Sequence, residues 1–410
     1  MTYGNRLLLT TATAALMWSV TMSAGQAADI GDGCCADLEE RIAELETTTA
    51  RKGNRVVSLQ VSGQVNRALL IWDDGIDSDA YVVDPDSDGS RFRFTGTAAL
   101  KPGWQAGYVL ELTTVDSASN FVSQLDDEGL SEILRLRRNS LYIESEQLGR
   151  LTIGQENQAT DGINEIDVVG TYSTVSKTHY AGGFFVRTFD GDLDGDELRW
   201  QDVLGAIGGG QEDIIRYDTP SIYGFIVSAS WGDDDIWDVA LRFQKEFNSI
   251  RIAAGIGYLE DDRDDDVSRT DNQLSGSASA FHVPTGLFVT VAAGSRSFRD
   301  DSPDAENWYI KGGISKNWFS YGATTLFVDY AQFENFGVGQ EFDLDGGIVL
   351  DELTSSEASV IGFGVVQSFD SAALNIYALA QFFDSDLEGD FESLDTEDHF
   401  AIILGSHIRF

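Results

Sequence analysis

From Val56 onward, hydrophobic and polar residues alternate with a period of two through one stretch after another. Val57, Leu59, Val61 and Val65 alternate with Ser58, Gln60, Ser62 and Gln64, and Trp104, Ala106, Tyr108, Leu110 and Leu112 oppose Gln105, Gly107, Glu111 and Thr113. Later, Trp237, Val239, Leu241, Phe243 and Phe247 oppose Asp238, Arg242, Gln244 and Glu246, while Leu374, Ile376, Ala378 and Phe382 oppose Asn375, Tyr377 and Gln381. Successive side chains of an extended chain point to opposite faces, so each stretch predicts a strand that is greasy on one side and polar on the other. The last stretch follows the same rule: Phe400, Ile402, Leu404, Ser406, Ile408 and Phe410 share one face, and Ala401, Ile403, Gly405, His407 and Arg409 the other. By position His407 and Arg409 would lie near one mouth, far from any narrowing.

The breaks between strands are of two kinds. Short ones fall at Lys101-Pro-Gly, Gln147-Leu-Gly, Thr219-Pro-Ser, Phe247-Asn-Ser, His282-Val-Pro-Thr-Gly, Asn317-Trp-Phe and Phe369-Asp-Ser, and long acidic ones at 73–89, 115–131, 260–269, 299–305, 333–353 and 384–397. Short turns at one end and long loops at the other, with about sixteen strands between them, predict an all-β fold: a transmembrane antiparallel barrel wide enough to hold an aqueous channel. A soluble sandwich would show the same alternation with its greasy face buried. The loop asymmetry and the strand count favour the barrel, whose last strand, Phe400, Ile402, Leu404, Ile408 and Phe410 on its outer face, would pair with the first and leave no open edge.

Composition supports that reading. The chain of 410 residues is 42% hydrophobic with 42 Gly, 24 Phe, 13 Tyr, 8 Trp and only 5 Pro, and its mean hydropathy is -0.15. Spanning helices would need repeated runs of roughly 20 apolar residues, and the chain has one long apolar run, near its start. That run, Leu7 to Val20 after Arg6 and before Gly25-Gln26-Ala27, predicts an export signal over 1–27. The segment 28–54 then carries Asp37 to Glu46, in which Cys35, Leu38, Ile42 and Leu45 fall on one helical seam. It predicts a short coiled-coil-like helix in which Cys35 could cross-link subunits, with the barrel over 55–410.

A net charge of -41 argues against nucleic acid as a partner, because phosphate binding depends on Lys and Arg. The acids cluster in the breaks and so sit in water. Two of these clusters, Asp84-Pro85-Asp86-Ser87-Asp88-Gly89 and Asp190-Gly191-Asp192-Leu193-Asp194-Gly195, open like a calcium loop, but the twelfth positions are Thr95 and Gln201 in place of Glu. A weak Ca²⁺ site is the most they predict. Four His and two Cys form no metal-ligand or nucleophile pattern, so bond chemistry and a firm metal site are not expected.

One break is different in scale. Between Gln155 and the strand beginning near Asp213 the alternation lapses for more than fifty residues, which include Glu156, Asp161, Glu165 and Asp167 and then Gly182-Gly183-Phe184-Phe185-Val186-Arg187. So long a connection is functional or disordered, and its apolar cluster requires burial, which the barrel lumen offers. Opposite it, parity turns Arg91, Arg93, Arg135, Arg137, Arg216, Arg242 and Arg251 inward, while Arg138 falls on the other parity unless a bulge intervenes. A basic wall (Arg91, Arg93, Arg135, Arg137, Arg138, Arg216, Arg242) facing a loop with Glu156, Asp161, Glu165, Asp167 and Arg187 would set up a transverse field across a constriction.

The opening strand Leu59-Gln-Val-Ser-Gly-Gln-Val-Asn66, the run Arg138-Asn-Ser-Leu-Tyr-Ile143 followed by Gly149-Arg-Leu-Thr-Ile-Gly-Gln155, Arg216-Tyr-Asp218 and the final Phe410 resemble the general porins of Gram-negative bacteria, most closely the alphaproteobacterial kind. The resemblance covers nearly the whole chain after the leader. It implies a sixteen-stranded trimeric pore in the outer membrane, a third external loop folded inward at 156–211, and a closing strand read by the outer-membrane assembly machinery. Its loop is longer than in the simplest members, and the charged helix before the barrel is extra. The expected activity is passive diffusion of ions and small hydrophilic solutes through a lipid-embedded homotrimer. The alternatives are a substrate-specific channel and a barrel-anchored tether to the cell wall.

Overall fold

The computed structural model describes residues 56–114, 116–129, 134–173, 180–187, 193, 198–232, 235–263, 268–343, 350–389, 393–394 and 396–410. The leader, the helical seam of Cys35, Leu38, Ile42 and Leu45, and the second aspartate motif (Asp190, Asp192, Asp194) lie outside the described residues.

Sixteen antiparallel staves close into a barrel. They are β1 (Gln60–Asp73), β2 in two pieces (Ser78–Val83 and Arg91–Lys101), β3 (Trp104–Thr113), β4 (Arg135–Ser145), β5 (Gly149–Asn157), β6 (Gln211–Asp218), β7 (Phe225–Gly232) and β8 (Ile236–Phe247). There follow β9 (Ile250–Asp261), β10 (Thr270–His282), β11 (Leu287–Phe298), β12 (Ala305–Phe319), β13 (Gly322–Glu334), β14 (Leu350–Phe369), β15 (Leu374–Gly389) and β16 (His399–Arg409). Each pairs with its neighbours in sequence, and β16 pairs with β1 from Gln64↔Arg409 to Asp73↔Phe400. With no edge left open, every stave's backbone groups can be satisfied within the wall, which a lipid setting demands.

The predicted faces hold. Val65 lies opposite Ile408 and Leu69 opposite Leu404 on the exposed outer surface, while their neighbours Asn66, Leu70, Ile403 and His407 are buried inside. Phe410 continues the ladder by exchanging backbone hydrogen bonds with Gly63, and its ring lies 6.3 Å from that of Phe92.

Two boundaries differ from expectation. The acidic stretch 73–89 is not one long loop: β1 and β2 turn over at 74–77, and residues 84–90 interrupt β2 lower down. The staves β14 and β15 run for 20 and 16 residues, so the breaks expected at 333–353 and 384–397 are shortened by strand at 350–353 and 384–389. Asp and Glu are poor strand formers by composition, and pairing with a neighbouring stave overrides that tendency here.

The long-loop half of the lumen holds a true apolar core. Leu70, Trp72, Phe333, Phe383 and Leu387 from the wall enclose Tyr180, Phe184, Trp200 and Leu204 from the connection after β5, all nearly without solvent exposure. Burial of this much aromatic surface anchors the connection as a packed element.

Candidate functional site: an arginine-lined narrowing

The connection 158–210 leaves β5 and enters the barrel. Its first residues are gripped by backbone contacts: Arg216 on β6 donates to the carbonyls of Asn157 and Gln158 at 2.9 and 3.0 Å, and Arg242 on β8 to those of Ala159 and Asp161 at 2.7 and 2.8 Å. Asp238 accepts from the amide and hydroxyl of Thr160 at 2.5 and 2.6 Å. The chain then crosses the lumen along β9 and β10. Side chains at Gly255 and Gly257 would collide with Ile163, Ile166 and Thr160, so two glycines make the groove in which the loop lies. Ser277 and Ser279 accept from the amides of Ile166 and Val168, both at 3.1 Å.

Beyond that groove Asp167 meets Lys311 of β12 at 2.7 Å, and the ammonium also donates to Thr171 and to the carbonyl of Ser173. Tyr172 reaches His407 of β16 at 2.8 Å and accepts from Asn375 of β15 at 2.9 Å. Phe184 packs on Trp72 with ring centroids 5.1 Å apart, and a side chain on Gly183 would strike the carbonyls of Val122 and Asn120. Arg187 then pairs with Asp74 at 2.8 Å and Asp77 at 3.1 Å at the turn between β1 and β2.

The wall opposite the loop carries the arginines. A bulge in β4, where Glu111 faces Arg138 and Leu112 faces Leu136, turns both Arg137 and Arg138 into the lumen. Four guanidiniums converge on the carboxylate of Glu111: Arg93 at 2.5 Å, Arg137 at 3.2 Å, Arg91 at 3.6 Å and Arg138 at 4.0 Å. Arg138 also pairs with Glu156 at 2.5 Å, and Arg216 with Asp218 at 2.7 Å. Arg135 stands exposed at the long-loop end, and Arg251 pairs with Glu246 at the other rim.

The arrangement therefore departs from a simple basic wall facing an acidic loop. Glu156 belongs to β5 and neutralises the wall, Arg187 ties the far end of the loop to a turn, and Asp167 is spent on Lys311. Asp161 and Glu165 remain as the loop acids on the arginine side. Burial and the neighbouring Glu165 push the Asp161 carboxyl up to about 6, against the pull of Arg137, Arg242 and Arg216. Burial would raise Asp167 as well, but Lys311 and the amides of Thr171 and Val169 hold it down at about 2.

Arg409 lies at the short-turn end, its amide bonded to the carbonyl of Ala373 in the turn between β14 and β15, and from there its guanidinium and the inward His407 ring reach Asp88, 3.3 Å and 3.6 Å away. Asp88 also accepts from Gln64 at 2.8 Å and pairs with Arg91 at 2.9 Å, while Asp84 accepts from Ser90 and Thr114. Asp86 is exposed, and among the described residues no three acidic or histidine side chains converge as metal ligands.

Below the loop a cavity of about 590 Å³ extends to the short turns at Glu146 and Pro220. Eight arginines line it, Arg91, Arg93, Arg137, Arg138, Arg150, Arg216, Arg242 and Arg409, against the six carboxylates of Asp88, Glu111, Glu144, Glu146, Glu156 and Asp218. Glu111, Asp238, Lys311 and Tyr172 carry the site without having been singled out in the sequence. Parity turns Glu111, Asp238 and Lys311 inward, but it does the same for neighbours such as Gln105, Gln244 and Asn307, so nothing in the chain alone set these three apart.

A lipid-facing barrel whose lumen is narrowed by an inward loop against charged side chains is a membrane diffusion channel. A model of the Gram-negative porin family matches residues 12–387, and the chain belongs to that family. Its fold is shared by the anion-selective porin from Comamonas acidovorans, with a TM-score of 0.57 and 16% identity over 86% of this chain and 100% of that one. It is likewise shared by in-vitro folded OmpT of Vibrio cholerae in its trimer form (0.50, 14%, 87% and 100%) and by Salmonella typhi OmpF in complex with daunomycin (0.51, 11%, 87% and 98%). No curated protein matches the sequence. The protein is thus an integral outer-membrane porin that admits solutes by passive diffusion. The long-loop end faces outward in such barrels and the short turns face the periplasm.

Proposed function

We propose that this porin is a homotrimeric general diffusion pore that passes small hydrophilic solutes with a preference for anions. The observation that carries the preference is the excess of arginines over carboxylates around the cavity. The overall charge of -41 does not oppose it, because surface acids more than about 8 Å from the path are screened at physiological salt. Across the narrowing, Asp161 and Glu165 on the loop side and Arg137 and Arg138 on the wall side make a field that orders water and taxes poorly oriented solutes. OmpT's trimer form supports the assembly, and the outward apolar rows provide for outer-membrane lipid. The closing strand ending at Phe410 is the segment offered to the outer-membrane assembly machinery.

Reversal potentials of single channels in a planar bilayer under a KCl gradient test the proposal. An anion-side potential is expected. A cation-side potential overturns the preference, and an absence of conductance steps overturns the channel itself.

A further inference from the structure

The segment 84–90 has no role in a plain barrel. Val83 pairs with Ala68 and Arg91 with Gln64, so residues 65–67 of β1 stand opposite residues 84–90 of β2, and the surplus must leave the sheet. An ordinary bulge adds one residue; this insertion adds a whole turn. It leaves toward the lumen: Asp84, Ser87 and Ser90 are buried, Ser90 exchanges hydrogen bonds with the backbone of the inward Asn66, and Ser87 meets the Tyr180 hydroxyl of the long loop at 2.5 Å. Asp84 pairs through its backbone with Ser117 and Ser119 of the β3–β4 loop at 2.9 and 3.0 Å. The turn is held from three sides.

Its apex acid faces the cavity. Asp88 joins Arg91 of β2 to Arg409 of β16, with Gln64 of β1 donating to the same carboxylate, so one acid sits across the seam where the barrel closes. We propose that residues 84–90 form a second constriction element, carried by the wall, and that Asp88 sets the charge selectivity of the path at the closure seam. This rests on the reading of the lumen as a conducting path. The carboxylate masks two guanidiniums that would otherwise face passing ions, and at contact distance one unit charge changes local ion occupancy several-fold even in water.

The test is the reversal potential of the full chain and three variants in planar bilayers. Asp88→Asn is expected to raise the anion-to-cation permeability ratio roughly two- to fivefold. Arg409→Gln is expected to lower it, and Asp370→Asn, exposed in the short turn after β14 and outside the cavity lining, to leave it at the wild-type value. Opposite shifts from the two partners are a signature that mere loosening of the turn does not produce. If wild type conducts while Asp88→Asn and Arg409→Gln leave the ratio unchanged, or move it the same way, the inference is overturned. Should Asp88→Asn not fold, Arg409→Gln decides alone. A wild type without conductance steps refutes the channel reading instead.

Discussion

At the scale of single residues, the narrowing depends on how few acids serve how many guanidiniums. Glu111 is almost wholly buried and holds Arg93 and Arg137 directly. Glu111→Gln removes the shared charge while keeping the shape, and it should lower stability by about 3 kcal/mol in urea unfolding, since charges left buried without a counter-charge are costly. The same variant should move the reversal potential toward anions. Asp161 predicts a pH effect. Its folded-state carboxyl lies near 6, above the ordinary 3.8, so whatever stability it lends is present below 3.8 and is lost as pH rises through 6. At neutral pH it is ionised. Between pH 7.5 and 5 the wild-type channel should become more anion-preferring as Asp161 takes up its proton, and Asp161→Asn should be flat across that range. The inward arginines were legible because parity is a property of the chain alone. That Arg137 and Arg138 both face inward was not, because the bulge is set by the pairing of β3 with β4. Glu111 passed as one polar residue among many until its neighbours were known.

At the scale of elements, the inward loop is held by a buried ion pair and by backbone contacts. Lys311 has no exposed surface and spends its donors on Asp167, Thr171 and Ser173. Lys311→Met strands the Asp167 carboxylate and should cost about 3–5 kcal/mol, with noisier open-channel current as the loop loosens. Asp167 lies near 2 when folded, below its ordinary 3.8, so its contribution is complete above about pH 4 and is lost as pH falls through 2. The loop should therefore stay seated in moderately acidic media, which hydrogen exchange of the loop amides at pH 4 and pH 7, each scaled to its intrinsic rate, would check. The loop itself was visible in the sequence as a lapse of alternation with a greasy centre. Its landing strip was not: Ser277 and Ser279 read as an ordinary polar face until the backbone amides of Ile166 and Val168 arrive opposite them. The β2 insertion was misread as loop because seven residues with three Asp, a Pro and a Gly look alike whether they cap a barrel or enter it.

At the scale of the whole molecule, the barrel was legible almost throughout, since one rule of two faces repeats in every stave. The wall's half of the apolar filling was not, because the same alternation places Trp72 or Phe383 inward without saying what they meet. Every residue lining the cavity lies between Ser62 and Phe410. A variant lacking residues 28–54 should then keep the conductance of the full chain, and bilayer recordings of the two side by side check it.

The contacts of Tyr172 with Asn375 and His407 place the inward loop against β15 and β16, the last staves to be made. The loop and the closing seam therefore share an anchor, so a change at Tyr172 is felt in the two staves that complete the cylinder as well as in its contents.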